Sequence, residues 1–323
     1  MGDYIGQLGH IGVGKETSWG AGVAPSNFIA ELTEADIEPV VGVDYPSHVA
    51  ASAAQRRVRM GLQPVRGSVS FDVSAGGALP LFLLSCFGTV TTTLVNAAGG
   101  NVYQHFFTFA NTASSVERPS LTVEHNHGGL FARRYQGCRI ARLRLSLANQ
   151  QTAVLQAQVD VIGSSEVSSG PASASFNADE ALPFTGFTAS VDGNPNTRFR
   201  SFDAEFGTNL EEIPTAGGGS ALGRLPAGEF EVSGSASLVY EGTERRSDYL
   251  AGTMRRLKFA MTGATIASTW AYRVEAEVPR AHLSDHEGRL APGILNEGFD
   301  FRGLWDQSDG IARVIVTNTT SGY

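Results

Sequence analysis

Residues 9–16, Gly9-His10-Ile11-Gly12-Val13-Gly14-Lys15-Glu16, carry the Gly-x-x-x-x-Gly-Lys spacing of a phosphate-binding loop. In that chemistry backbone N–H groups cradle the phosphates, the lysine neutralises them, and a following Ser or Thr hydroxyl ligates magnesium. Glu16 stands where the hydroxyl is required, its carboxylate would repel the phosphates, and Thr17 comes one residue late. The segment therefore reads as a glycine-rich loop of a β protein. Two close histidine pairs, His125-Asn126-His127 and His282-x-x-x-His286, have no cysteines at zinc spacing beside them and read as loop residues. Neither a Gly-x-Ser-x-Gly elbow nor a His-Glu-x-x-His helix occurs. Glu211-Glu212 offers carboxylates for a glycosidase pair, as any soluble β protein does. No catalytic residue, metal ligand or cofactor site is assigned, and the chain is expected not to be an enzyme.

The elements that position side chains are clearer. Ala141, Leu143, Leu145 and Leu147 alternate with Arg142, Arg144 and Ser146; Leu155, Ala157, Val159 and Val161 alternate with Gln156, Gln158 and Asp160. Period-two alternation marks half-buried strands, and the polar segment 148–152 closes them into a hairpin with one dry and one wet face. Similar ladders run over Ser68–Val73 and Phe230–Leu238, with further strands at Gln104–Phe109, Ser120–Glu124 and Arg256–Thr262, and with Tyr272–Val278 and Gly298–Trp305 read as the closing pair of the second half. Pro80 and Gly88 bracket a short apolar helix, and Glu244–Thr253 is a more polar one.

The 323 residues include 38 glycines and 13 prolines, with 42% hydrophobic and 17% charged residues, which fits a mainly β globular chain. A net charge of −8 argues against gripping nucleic acid through a basic surface. Cys86 and Cys138 read as two buried thiols in a reducing compartment. The N-terminus lacks the regions of a secretory signal, and the longest apolar run, 78–87, is too short to cross a bilayer, so a soluble protein made in the cytosol is expected.

The Ser-, Gly- and Ala-rich stretch from Ser164 to Asp179 reads as a linker. It separates a first β domain, 1–165, from a second, 181–323, with the same order of strand, helix, strand and closing hairpin; the linker is assigned to 166–180. Glu34–Gln63 reads as a long arm, and the tail holds a short β-prone segment at Ala312–Thr317.

Ile11-Gly12-Val13-Gly14-Lys15-Glu16-Thr17-Ser18-Trp19-Gly20, followed by Val23-Ala24-Pro25 and Phe28-Ile29, resembles the N-terminus of tail tube proteins of long-tailed, siphovirus-like bacteriophages. Arg66–Val73 is similar to that family's first long strand, Leu81–Gly88 to its helix, and Tyr135-Gln136-Gly137-Cys138 to its lead into the closing hairpin. The resemblance implies two tandem tail-tube β-sandwich domains, each with a short flanking helix. It also implies a virion protein, assembled in the host bacterial cytoplasm, whose trimeric, pseudo-six-fold rings stack into a hollow tube. Its partners would be other copies of itself, a tape measure protein, and tail terminator and tail-tip proteins. DNA would transit without sequence-specific binding, and no membrane is involved.

On that footing the polar ladders face a water-filled bore. The expected lining is Ser70, Asp72, Arg142, Arg144, Gln156, Gln158, Asp160, Glu231, Ser233, Glu275, Glu277, Asp300 and Arg302. The N-terminal loop and the arm, with Pro39, Tyr45, Arg56, Arg57 and Arg59, are expected to make ring-to-ring contacts. Two other readings are the inner tube of a contractile tail or tailocin-like particle, and a carbohydrate-binding sandwich stacking sugars on Trp19, Trp270 and Trp305.

Overall fold

Alternating sequence becomes antiparallel sheet over most of the chain. The computed structural model describes residues 8–46, 57–97, 100–109, 111, 117–128, 131–148, 150, 152–177, 179–216, 218–240, 242–289 and 295–323. The first half begins with β1 (His10–Lys15), β2 (Asn27–Phe28), β3 (Leu32–Pro39), β4 (Val43–Asp44), β5 (Arg59–Met60) and β6 (Val65–Asp72). Helix α1 (Leu79–Phe87) follows, then β7 (Gly88–Asn96), β8 (Val102–Phe109), β9 (Leu121–Asn126), β10 (Ala132–Leu147), β11 (Gln156–Gly163) and β12 (Ser165–Ser169). The second half has β13 (Phe187–Val191), β14 (Asn194–Pro195), β15 (Phe199–Gly207), β16 (Glu231–Val239) and α2 (Glu244–Ala251). It ends with β17 (Met254–Ala267), β18 (Trp270–Arg289), β19 (Asn296–Gly303) and β20 (Arg313–Asn318).

Eight strands pair in the order β3–β6–β11–β10–β15–β16–β19–β18, so one sheet crosses from the first half into the second. Two further sheets run β2–β1–β9–β10–β12 and β14–β13–β17–β18–β20–β8–β7. Among the described residues these pairings close no ring of strands.

β10 and β18 are long because each leaves one sheet and enters another. In β10 the passage is made at Gly137, whose φ of 63° and lack of a side chain are both required, since a Cβ there would lie 2.8 Å from the Ser164 Cβ. α1 is apolar apart from Ser85, and all nine of its residues are buried. Pro80 sits in its first turn, and Gly88, in the left-handed region, donates its N–H to the Leu84 carbonyl.

The halves repeat one pairing scheme. β1, β3, β6, α1, β9, β10, β11 and β12 recur as β13, β15, β16, α2, β17, β18, β19 and β20, with every strand pairing within the first set repeated in the second. Among the described residues the hairpin β7–β8 has no counterpart in the second half, and it pairs with β20.

Four expectations are corrected. The segment assigned as a linker begins as a strand: Ser165–Ser169 form β12 beside β10, and beyond it the Ala172 N–H donates to Glu124 while the half-exposed Phe176 meets His10 and Phe28. The arm is shorter than Glu34–Gln63, because Leu32–Pro39 is a strand of the main sheet. Tyr272–Val278 does not pair with Gly298–Trp305; the closing hairpin uses residues 281–289 of β18. The glycine-rich loop is the buried strand β1, where a Cβ on Gly12 would lie 2.8 Å from Phe28 and Pro25 atoms.

Glu16, the residue that spoils the phosphate-binding pattern, is buried and accepts hydrogen bonds from Ser120 Oγ (2.6 Å), Thr122 Oγ1 (2.9 Å), Gly137 N (2.9 Å) and Gly20 N (3.0 Å). It ties the first strand to the bend of β10. Glu16→Ala leaves these donors without an acceptor and is expected to lower stability by about 3 kcal/mol. Chemical denaturation measures this; an unchanged midpoint would contradict the assigned role.

Candidate functional site

The eight-stranded sheet has a dry face and a wet one. Val69, Val159, Leu143, Phe206 and Val232 lie side by side across five strands on the dry face, each at most 3% exposed. The next row is polar from edge to edge: Glu34, Ser70, Gln158, Arg144, Glu205, Ser233, Arg302 and His282. Two parallel rows flank it. One is Asp72, Gln156, Ser146, Asp203, Ser235, Asp300 and Asp285; the other is Asp36, Ser68, Asp160, Arg142, Gly207 and Glu231.

Eleven of the thirteen expected lining residues therefore share one surface. Glu275 and Glu277 do not. They lie on the first part of β18, in the other sheet, and are 6% and 1% exposed. Glu275 pairs with Lys258 (2.8 Å) and Arg273 (2.7 Å), and Glu277 with Arg256 (2.9 Å) and Arg313 (2.6 Å). Each of these carboxylates is held between two cations, Glu275 tying β18 to β17 and Glu277 tying it to β17 and β20. Glu34, Asp36, Asp203 and Glu205 belong to the surface and were not expected there. The alternation of Phe202, Ala204 and Phe206 with Asp203 and Glu205 was the signal for the latter two.

Carboxylates outnumber guanidiniums on this face, and two of its arginines, Arg142 and Arg144, are engaged with them. Arg144 binds Asp203 at 2.5 Å, while Arg142 lies 3.3 Å from Glu205 and 3.9 Å from Asp160. Burial pushes the Asp203 carboxyl up, against the opposing pull of Arg144. The surface is hydrated, mixed in sign and net acidic.

Of the arm candidates, Pro39 closes β3, Tyr45 is 60% exposed, and Arg57 and Arg59 lie on the exposed strand around β5; Arg56 falls outside the described residues. The β4–β5 ribbon also presents Val40, Val41, Val43, Val58 and Met60 to solvent. The three tryptophans form no platform: Trp19 lies under Arg139, Trp305 meets the Phe109 ring, and Trp270 closes the β17–β18 turn.

Among the described residues no group of three or more His, Cys, Asp or Glu is placed to hold a metal. Both cysteines are buried and unpaired, and burial pushes the Cys86 thiol up to about 12. No helix among the described residues is long and apolar enough to cross a membrane.

An open, antiparallel β architecture with two short helices and an extended hydrated sheet face defines a β-rich structural protein. A family model described as phage tail tube protein matches residues 6–293, and the chain belongs to that family. It is accordingly a structural tail tube protein and a component of the virion tail, from a family that self-associates with other tail components. Comparison with curated proteins finds no match.

His125, on β9, and His127, just past its end, pack with ring centroids 3.9 Å apart, and the backbone of Ile37 on β3 hydrogen-bonds His125. Burial, then the neighbouring His127 and Arg133, hold His125 down at about 4, although Asp36 and the Ile37 backbone favour its charged form. Its neutral ring is thus compatible with the fold above the ordinary value of 6.5, and stability declines as pH falls from there toward 4. His125→Gln is expected to remove up to about 3 kcal/mol of that decline. Denaturation curves across this pH range test it; an unchanged pH profile would contradict it.

Proposed function

We propose that three copies of this chain close into a ring and that rings stack into the hollow tube of a long, non-contractile tail. The polar face lines the bore. A tape measure protein fills that bore during assembly in the host cytoplasm, terminator and tip proteins close its ends, and DNA later passes through it.

The single observation carrying this reading is the polar row that runs unbroken from Glu34 on β3 to His282 on β18. A sheet this wide with one wet face and two open edges invites uncontrolled pairing unless neighbours cover the edges. Closing it into a ring removes the edges and turns the wet face inward. Each chain supplies two repeated four-stranded panels, so three chains supply the six panels of a six-fold-like ring. Duplex DNA carries about one charge per 1.7 Å, and a basic wall would hold it through counterion release. A net acidic wall whose Arg142 and Arg144 are already paired lets it slide.

The apolar β4–β5 ribbon supports a role in stacking one ring on the next. Val43→Asp combined with Met60→Asp is expected to leave folded subunits that form rings but at least tenfold fewer tubes, scored by negative-stain microscopy. Tubes of normal number and length would remove the ribbon from the stacking contact. Native mass measurement of the parent rings should give three chains, and six would refute the trimer.

A further inference from the structure

We infer that neighbouring copies join along β3 of one and residues 283–287 of β18 of the next, in the register already present inside each chain, and that this seam, unlike the internal one, sets carboxylates against carboxylates. The inference rests on the proposed ring and names the surface that closes it.

The internal repeat supplies the template. β15 is the counterpart of β3, and β18 of β10; within the chain, β10 pairs with β15. Val69 lies opposite Val159 as Gly234 lies opposite Phe301, which matches the two halves residue by residue. The helices confirm the frame: α1 starts at Leu79 and α2 at Glu244, equally far beyond the matched serines Ser68 and Ser233. In this frame Leu283 takes the place of Leu143, and Ile37 that of Phe206.

Inside the chain Leu143 faces Phe206, and Ser146 faces Asp203. Transferred to the seam, Leu283 faces Ile37 of the neighbouring copy, and Glu287 faces its Glu34. Both Leu283 and Ile37 are buried apolar residues, as the pair they replace is. The edge is open where it is needed: β17 covers β18 as far as His282, opposite Met254, and among the described residues no strand lies beyond β3 or beside 283–289 on that side. Because the two edges are different surfaces, the contact is head-to-tail, and repetition closes a ring.

The charges differ between the two seams. The internal one joins Arg142 and Arg144 to Glu205 and Asp203. The seam between copies brings Asp285 and Glu287 against Asp36 and Glu34, so backbone pairing and apolar contact must hold it against repulsion that salt screens. Ring closure is then favoured by rising ionic strength.

The test is a double variant, Glu34→Cys with Glu287→Cys, oxidised after assembly. It should give covalent head-to-tail multimers ending in a closed ring. The displaced pair Glu38→Cys with Glu287→Cys, about 13 Å out of register, should give none. Should the double variant misfold, hydrogen exchange on the parent protein decides: amides of 34–37 and 283–287 gain protection on assembly. Tubes that form with those amides unprotected, or with only the displaced pair cross-linking, overturn the seam while leaving the tube standing. A chain that never assembles overturns both. Asp36→Asn with Asp285→Asn should raise the assembled fraction at low salt several-fold, and an unchanged salt dependence would overturn the charge assignment.

Discussion

Everything in this molecule depends on one face of a wide sheet being sealed by apolar packing while the other is left in water. Leu143, Leu145 and Leu147 are each at most 2% exposed, and each contributes roughly 2–3 kcal/mol by leaving solvent. Across the sheet from them, the Arg144–Asp203 and Arg142–Glu205 pairs are partly solvated and contribute at most about 1 kcal/mol apiece. The dry face therefore fixes register, since a slip of one residue would put arginines into the core. The wet face is free to be chosen for what passes over it.

That division extends through the whole chain because two strands serve two sheets. β10 carries the first half's outer neighbours, β9 and β12, on its early residues, and β11 and β15 on its later ones. β18 does the same in the second half with β17, β20 and β19. The bend at Gly137 and the buried Glu16 carboxylate beside it fix where β10 changes sheets. Because β10 also pairs with β15, the two repeats share a sheet and a continuous core, and among the described residues that sheet ends at β3 on one side and β18 on the other.

Much of this was readable from the residues alone. The ladders in β10, β11 and β16 announced themselves by alternation, and α1 by Pro80, Gly88 and apolar content interrupted only by Ser85. β1 was hidden because Gly12 and Gly14 look like loop residues, when their lack of a Cβ is what lets Phe28, Pro25 and Val23 approach. β3 was hidden because it is an edge strand, with Ile37 its only fully buried side chain. Glu275 and Glu277 were misplaced for a topological reason. Alternation says that a side chain faces one side of its strand, but not which sheet the strand belongs to at that point, and β18 changes sheets between Val278 and Leu283.

A tube wall assembled in this way needs no strong interaction with its cargo. On the proposed bore face Arg142 and Arg144 are paired with neighbouring carboxylates, and the excess charge has the sign of DNA. The most direct measurement is an electron cryo-microscopy map of tubes grown from the purified protein. The row from Glu34 through Arg144 to Arg302 should line the bore, with Leu143 and Leu145 buried behind it. A bore lined by any other surface, or a protein that remains a solitary globule with this face open to bulk solvent, would contradict the account.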